Sequence, residues 1–346
     1  NILDDYYEYD KNLQDQLVRL RDSVLTKKDL LQNSDKLREL ERNLTLFHGD
    51  IVNQSLKKYR DPVDLIGFHG QTIFHDPLEK ITNQLGDGKL LSQIVKKKVI
   101  YDFRQADILN NGQGAPLTPL YHYILSKKIN QNFKTKFPIG FLNIGGIANV
   151  TKVNNDSDNF QNNLSAFDIG PGNCLIDEWV RKNSNKKFDK NGELAKAGKV
   201  DQLILNQAID NFKINSYSQS LDIKNFDISF ARGLSLEDGC ATITDFTAYL
   251  ITNGLKHISQ NNNIVFLVSG GGRKNINLID CIKGYLSNEN NITLEIIDNY
   301  KLNGDYIESQ AFAFLAIRSF LNLPISFSST TGCKEFTVGG KLVENF

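Results

Sequence analysis

Three glycine-rich turns and one carboxylate are the parts of this sequence best suited to chemistry on a phosphate. Gly145-Gly146, Gly170-Pro171-Gly172-Asn173 and Gly270-Gly271-Gly272 each follow a short apolar run that reads as a strand. Glycine lets the backbone approach a ligand closely, and N–H groups at such turns, or at the start of a helix behind them, bind phosphate oxygens. A glycine turn after a strand is ordinarily only a turn. Three in one chain, each at a strand end, point to an anion site. Neither G-x-x-x-x-G-K-[ST] nor an opening G-x-G-x-x-G is present, so a nucleotide site here is of another type. Asp168 stands just ahead of the second turn, where a carboxylate can act as general base toward water or a hydroxyl. The same position also suits a turn-forming or capping Asp.

Other candidates lie at other strand and helix ends. Asp102-Phe103-Arg104 closes one apolar run, and the planar fork of an arginine matches a carboxylate or phosphate, or simply a surface ion pair. Glu308 opens a helical pattern after Gly304-Asp305-Tyr306, where a carboxylate favours the helix dipole unless a substrate lies nearby. His69 and His75 flank Gly70-Gln71-Thr72. A metal would need further ligands than these, and none stands out, so no metal site is expected. His69 reads as a polar group lining a cleft or as a satisfied structural histidine.

The elements that must position these residues follow from periodicity. Leu13, Leu17, Leu20, Leu30, Leu31, Leu37, Leu40, Leu44 and Phe47 recur among charges at helical spacing. Strands are expected over 63–68, 98–101, 139–144, 147–151, 164–169 and 263–268, and a polar loop over 154–163. Helices are expected over 116–129, 174–182 (with Asn173 as its cap), 200–212, 236–259 and 307–320. Strand pairs followed by helices, twice over, predict a two-lobed α/β protein. The first lobe is assigned to 1–136 and the second to 137–346, with a C-terminal tail free to return to the first.

Composition narrows the class. Lys+Arg and Asp+Glu number 40 each, so the chain lacks the basic excess of a nucleic-acid binder. No apolar run approaches the roughly 20 residues of a membrane helix, so neither nucleic acid nor membrane is an expected partner. Cys174, Cys240, Cys281 and Cys333 are scattered without close pairs, which argues against a zinc site or disulfide scaffold and for reduced thiols in the cytoplasm. The opening Asn1-Ile2-Leu3-Asp4-Asp5 has no secretory pattern, and the absence of an initiator Met predicts that the natural protein begins upstream.

Taken together, the motifs resemble the anhydro-N-acetylmuramic acid kinase family. The matching stretches are Gly67-Phe68-His69-Gly70-Gln71-Thr72-Ile73-Phe74-His75, Leu85-Gly86-Asp87-Gly88, Asp102-Phe103-Arg104-Gln105-Ala106-Asp107 and Gly112-Gln113-Gly114-Ala115-Pro116-Leu117. They continue through Asn143-Ile144-Gly145-Gly146-Ile147-Ala148-Asn149, Phe167-Asp168-Ile169-Gly170-Pro171-Gly172-Asn173, Ser269-Gly270-Gly271-Gly272, Glu308 before Ala311-Phe312-Ala313, and Thr331-Gly332-Cys333. The order is collinear over nearly the whole chain; the stretch 209–226 matches less well.

The resemblance implies the two-lobed, actin-like ATPase (ribonuclease H-like) fold with an interlobe cleft, ATP and Mg²⁺ as cofactors, and an amino sugar of peptidoglycan recycling as substrate. It implies Asp168 as the base, with Arg104, Glu308, His69 and Gln71 toward the sugar. Asn143, Gly145, Gly146, Gly170, Gly172, Asn173, Gly270, Gly271 and Gly272 would lie toward the nucleotide. It leaves room for a homodimer. The family opens with a phosphate loop, roughly Gly-x-Met-Ser-Gly-Thr-Ser-x-Asp-Gly, on a β-hairpin that has no counterpart from Asn1 onward. The chain as written is therefore expected to turn over little ATP. Two other readings stand beside an active kinase: an inactive truncated homologue that only binds the sugar, and an actin-fold kinase of another sugar.

Overall fold

A computed structural model describes residues 3–59, 61–212, 217, 221, 226–260 and 262–346. The stretch 209–226 thus lies largely outside the described residues. Ten strands are present among those described: β1 Leu65–Phe68, β2 Gln71–Asp76, β3 Ile81–Leu85, β4 Lys98–Tyr101, β5 Ile139–Ile144, β6 Ile147–Val153, β7 Leu164–Pro171, β8 Ile264–Ser269, β9 Ile292–Ile296 and β10 Lys341–Val343. The chain divides into unit 1, Asn1–Tyr121 with Glu308–Phe346, and unit 2, His122–Ile307. This division and the sequence-based one at 136/137 draw the line differently. Residues 122–136 fall with unit 2, and Glu308–Phe346 with unit 1.

In unit 1, β1 and β4 run parallel and β10 joins β4 antiparallel. Helices Lys11–Ser23 and Ser34–Lys58 bury Leu13, Leu17, Leu20, Leu37, Leu40 and Leu44 against Ile73, Phe74 and Leu85. These leucines recur every three or four residues, so one face of each helix is apolar. Leu31, in the same sequence pattern, is 70% exposed and takes no part in the core. Asp10 caps the first helix through the Leu13 N–H.

The antiparallel ribbon β2–β3 is not among the expected strands. Its ladder shifts between Thr72 and Phe74, which lets the consecutive residues Ile73 and Phe74 both bury and erases the period-two signal. The helix expected from 116 starts at Pro119, a residue suited to the first helical position, and runs on to Phe133.

In unit 2, one sheet has the order β7-β6-β5-β8-β9. β5, β6 and β7 form an antiparallel meander, and β8 and β9 add in parallel on the other side of β5. Renumbered along the chain, the order is 3-2-1-4-5, the arrangement of a ribonuclease H-like sheet. The mixed α/β architecture expected from the sequence is therefore present. β9 and the helix Ile276–Leu286 that leads to it were not expected from the sequence.

Helix Leu236–Ser259 is buried along most of its length. It fits because two glycines remove side chains where neighbours press: a Cβ on Gly239 would lie 2.1 Å from Trp179, and one on Gly254 would lie 2.5 Å from Ile169. Trp179 also donates its indole N–H to Leu236 O at 2.9 Å. Among the described residues no helix is long and apolar enough to cross a membrane, and the cysteines are all free.

His122 gives unit 2 an acid-sensitive core. It is 2% exposed, stacks on Phe141 with ring centroids 4.6 Å apart, and shares a 2.9 Å hydrogen bond with the Thr151 hydroxyl. Burial pushes its pKa down from 6.5 to about 3. The unfolded chain therefore binds a proton near pH 6.5 that the folded chain refuses until about pH 3. Stability from this group is complete above pH 6.5 and lost as pH falls toward 3, by roughly 1.4 kcal/mol per pH unit. The urea midpoint should drop on going from pH 7 to pH 5, and His122→Phe should flatten that slope. An unchanged slope in the variant would remove His122 as its source.

Candidate active site

The three glycine turns converge in unit 2. Gly145 O accepts from the Asn173 N–H at 2.7 Å, and Gly146 O accepts from Gly172 N at 2.9 Å and Cys174 N at 3.2 Å. A Cβ on Gly172 would lie 2.2 Å from Gly145 O, so no other residue lets these turns meet. Gly270 has φ +79, and a Cβ there would lie 2.4 Å from Asn143 Oδ1 and 2.7 Å from Ile144 O. Gly272 packs on Ile144 in the same way, at 2.2 Å. Gly271 is exposed, and its nearest neighbour is Asn173 Nδ2, 4.0 Å from where its Cβ would stand. Asn143, Gly145, Gly146, Gly172, Asn173, Gly270, Gly271 and Gly272 thus form one cluster at the ends of β5, β7 and β8.

Two details differ from the sequence expectation. Asn173 holds the N-cap position of helix Cys174–Asn183, but its side chain makes no cap bond. Its amide donates instead to Gly145 O at 3.2 Å and Ile144 O at 3.5 Å. The Gly172, Asn173 and Cys174 N–H groups also go to the neighbouring turn, so they brace the cluster. Gly170 lies within β7, where the space for a Cβ is bounded by Leu250 at 3.3 Å; its missing side chain admits a helix.

Asp168 lies on β7 opposite Asn149. The ladder runs from Ala148–Gly170 to Asn149–Asp168, so Ile169 is an extra residue on that strand. Such a bulge re-aims the side chain beside it. The half-buried carboxylate accepts from the Leu221 N–H at Oδ2, 2.8 Å. Among the described residues no group of three or more His, Cys, Asp or Glu could hold a metal ion.

Unit 1 gathers the other candidates. Gly67 in β1 lets helix Ile307–Phe320 come close: a Cβ there would lie 2.9 Å from Phe312 O. Phe312 then packs against His69, with ring centroids 4.2 Å apart, and the Arg104 guanidinium lies 5.7 Å from its centroid. Arg104 Nε donates to His69 Nε2 at 3.0 Å, and Nη1 donates to Gly114 O at 2.8 Å. The other ring nitrogen of His69 faces Gly70 O at 2.8 Å, so the proton sits on Nδ1 and Nε2 accepts. Burial, with the nearby Arg104 charge, pushes the His69 pKa down to about 3. At ordinary pH it is a neutral acceptor for Arg104. Gln71 opens β2 opposite Leu85 and is half-buried; Glu308 is exposed in the first turn of helix Ile307–Phe320.

The loop 112–116, whose Gly114 O accepts from Arg104, was not singled out by residue type. Gly114 N donates to Asp107 Oδ2 at 2.7 Å, and Gln113 N donates to Thr331 O at 2.7 Å. His75 Nε2 donates to Gln113 O at 2.9 Å, while its Nδ1 accepts from the Thr82 hydroxyl at 3.0 Å. Asp107, 0% exposed, also accepts from Ser326 Oγ at 2.5 Å and Thr331 Oγ1 at 2.7 Å. The acceptor that fixes Arg104 is itself fixed by a buried carboxylate. The available signal was an Asp three residues after Arg104, but its side-chain partners lie more than two hundred residues further on.

The family model for anhydro-N-acetylmuramic acid kinase matches residues 1–345. The anhydro-N-acetylmuramic acid kinase of Pelagibacter ubique is 51% identical over 352 residues, covering 100% of this chain and 91% of that one. That of Brucella canis is 38% identical over 90% of this chain and 83% of its own length. That of Agrobacterium fabrum is 35% identical over 98% and 89%. Among solved structures, the activator of the 2-hydroxyisocaproyl-CoA dehydratase from Clostridium difficile aligns at a TM-score of 0.36 and 14% identity, over 59% of this chain and 67% of that one. That likeness is too slight to argue from. The matches to the family model and to its curated relatives run the length of the sequence, and the chain belongs to the anhydro-N-acetylmuramic acid kinase family.

Proposed function

We propose that the chain opens 1,6-anhydro-N-acetylmuramic acid with water and phosphorylates it to N-acetylmuramic acid 6-phosphate, using ATP. The observation that carries this reading is the end-to-end family match in a chain whose Asp168 stands on β7 just ahead of a braced glycine cluster. Water attacks the anomeric carbon and gives up a proton to Asp168. The bond from that carbon to O6 breaks, and O6 takes the γ-phosphoryl group as ADP leaves. The anhydro bond masks O6, so ring opening supplies the nucleophile. The relatives share one activity name, so neither a sugar-binding relic nor a kinase of another sugar is favoured.

Arg104 and Glu308, with His69 and Gln71, are assigned to the sugar, and the glycine cluster to ATP. Gly271, open and beside Asn173, leaves room for a nucleotide to approach. Mg²⁺ would be held mainly through phosphate oxygens and water and would offset their charge, since the described residues include no group of three or more His, Cys, Asp or Glu to hold it. The reading places the protein in the cytoplasm, in peptidoglycan recycling, with small molecules as its partners; a homodimer is compatible with it.

The deciding experiment is ADP release with the anhydro sugar, with product analysis in ¹⁸O-water. The label should enter at C1 and the phosphate at O6. ADP release that ignores the anhydro sugar, or responds equally to unrelated sugars, would sink the reading.

Arg104→Lys keeps the charge but cannot reach His69 and Gly114 O together. It should lower kcat/KM for the sugar by about 10-fold or more, as for other lost arginine forks. Arg104 has no such role if both Arg104→Lys and Arg104→Ala leave kcat/KM unchanged.

A further inference from the structure

Behind the third glycine turn, unit 2 holds a charged network that the catalytic reading does not use. The Arg273 side chain is 5% exposed. Its Nε donates to Asp298 Oδ2 at 2.8 Å and its Nη2 to Asp298 Oδ1 at 3.3 Å. Nη1 donates to Asp305 Oδ1 at 2.7 Å and to Gly270 O at 3.0 Å. Lys274 takes the second oxygen of Asp305 at 2.7 Å. Gly304 lies flush against the guanidinium, where a Cβ would stand 2.5 Å from Nε. Two carboxylates and one carbonyl thus hold a nearly buried cation from different sides.

The carbonyl matters most. Gly270 O also accepts from Arg273's own N–H at 3.3 Å, so it is held twice by one residue. In a planar trans peptide the carbonyl and the following N–H point in opposite directions. With Gly270 O drawn toward the guanidinium, the Gly271 N–H is turned away from it. Gly270, at φ +79, is a conformation glycine adopts without strain, and it does not resist a flip by itself.

We propose that Arg273 is a positioning residue for the nucleotide, fixing the Gly270–Gly271 peptide so that the exposed Gly271 faces ATP with its N–H. This rests on the reading that the Gly270–Gly272 turn lies against ATP. A donor held in place before binding costs no reorganisation when the ligand arrives, whereas a freely flipping peptide must be ordered first. The Arg273 bonds also hold Asp305 ionised, with its pKa lowered to about 2.

The test compares Arg273→Gln and Arg273→Lys with the parent in ADP titration calorimetry, on protein shown to be folded by circular dichroism. Arg273→Gln should raise the Kd for ADP and the KM for ATP by about 10-fold or more, the cost of one misdirected hydrogen bond to a charged group. The KM for the anhydro sugar at saturating ATP should stay within about twofold, since a nucleotide-side change leaves sugar contacts intact. Arg273→Lys, able to keep one or two of the bonds, should fall between. A merely structural role would lower the melting temperature while leaving ADP affinity in the folded variants unchanged, and that result overturns the proposal. Where neither variant folds, Asp305→Asn, at a half-exposed carboxylate, should still weaken ADP binding; parent-like affinity there overturns the proposal. A parent protein that does not bind ADP overturns the assignment of the turn together with the proposal. A parent that binds ADP beside variants that bind it equally overturns the proposal alone.

Discussion

Asp168→Asn is expected to lower turnover of the anhydro sugar by roughly 10²–10⁴-fold, the usual contribution of a general base. Asparagine has nearly the same shape, and its side-chain oxygen can still accept from the Leu221 N–H that the aspartate holds at 2.8 Å. The extra residue Ile169 and the pairing with Asn149 do not depend on charge. The strand should therefore keep its course, and sugar and ADP affinities should stay within a few-fold of the parent. On the proposed mechanism, what disappears is the acceptor for the proton of water. Rapid-quench measurement of the first turnover separates the lost step from slow product release. A first-turnover rate within a few-fold of the parent would exclude Asp168 as the base.

The second large effect is on stability. Asp107→Ala removes the common acceptor of Gly114 N, Ser326 Oγ and Thr331 Oγ1 from a position with no solvent exposure. Each buried donor left without a partner costs about 1–3 kcal/mol, so the total should reach ~3 kcal/mol or more. Hydroxyls can turn to other acceptors, but the Gly114 N–H cannot. Against a total of about 5–15 kcal/mol, such a loss is a large fraction. Asp107→Asn keeps an oxygen for Gly114 N and offers an amide to the hydroxyls as acceptors, so it should cost about 1 kcal/mol, the worth of an ordinary hydrogen bond. Urea unfolding of the two variants measures both values. An alanine variant within about 1 kcal/mol of the parent would mean that the loop and the 326–331 segment hold without their hub.

The candidate residues were easier to pick out in the sequence than the contacts that support them. Asp168, Arg104 and the glycine turns are visible because their chemistry is local: a carboxylate, a fork or a run of glycines at the end of an apolar strand. The leucine faces of the first helices and the strands of the 139–169 meander are local as well, because period and burial agree there. The β2–β3 ribbon is hidden by a shift that puts Ile73 and Phe74 inward together. Strand β10 is three residues long and begins with Lys341, which ion-pairs with Asp102, so nothing in its composition announces a strand. Asp107 and Arg273 escape for a different reason. A buried charge is recognised by its side-chain partners, and those of Asp107 lie 219 and 224 residues away. Those of Arg273 lie 25 and 32 residues away.

Unit 1 is assembled from two stretches of chain, with the whole of unit 2 between them. On the ribosome, this order decides what can finish first. By the time Ile307 has emerged, every strand of the β7-β6-β5-β8-β9 sheet has been made, and so have Arg273, Asp298 and Asp305. At that moment β1 and β4 still lack β10, the Phe312 ring is absent from beside His69, and Asp107 has neither Ser326 nor Thr331 to accept from. The glycine cluster belongs to the portion that can complete itself during synthesis, whereas the setting of Arg104 must wait for the last stretch of chain.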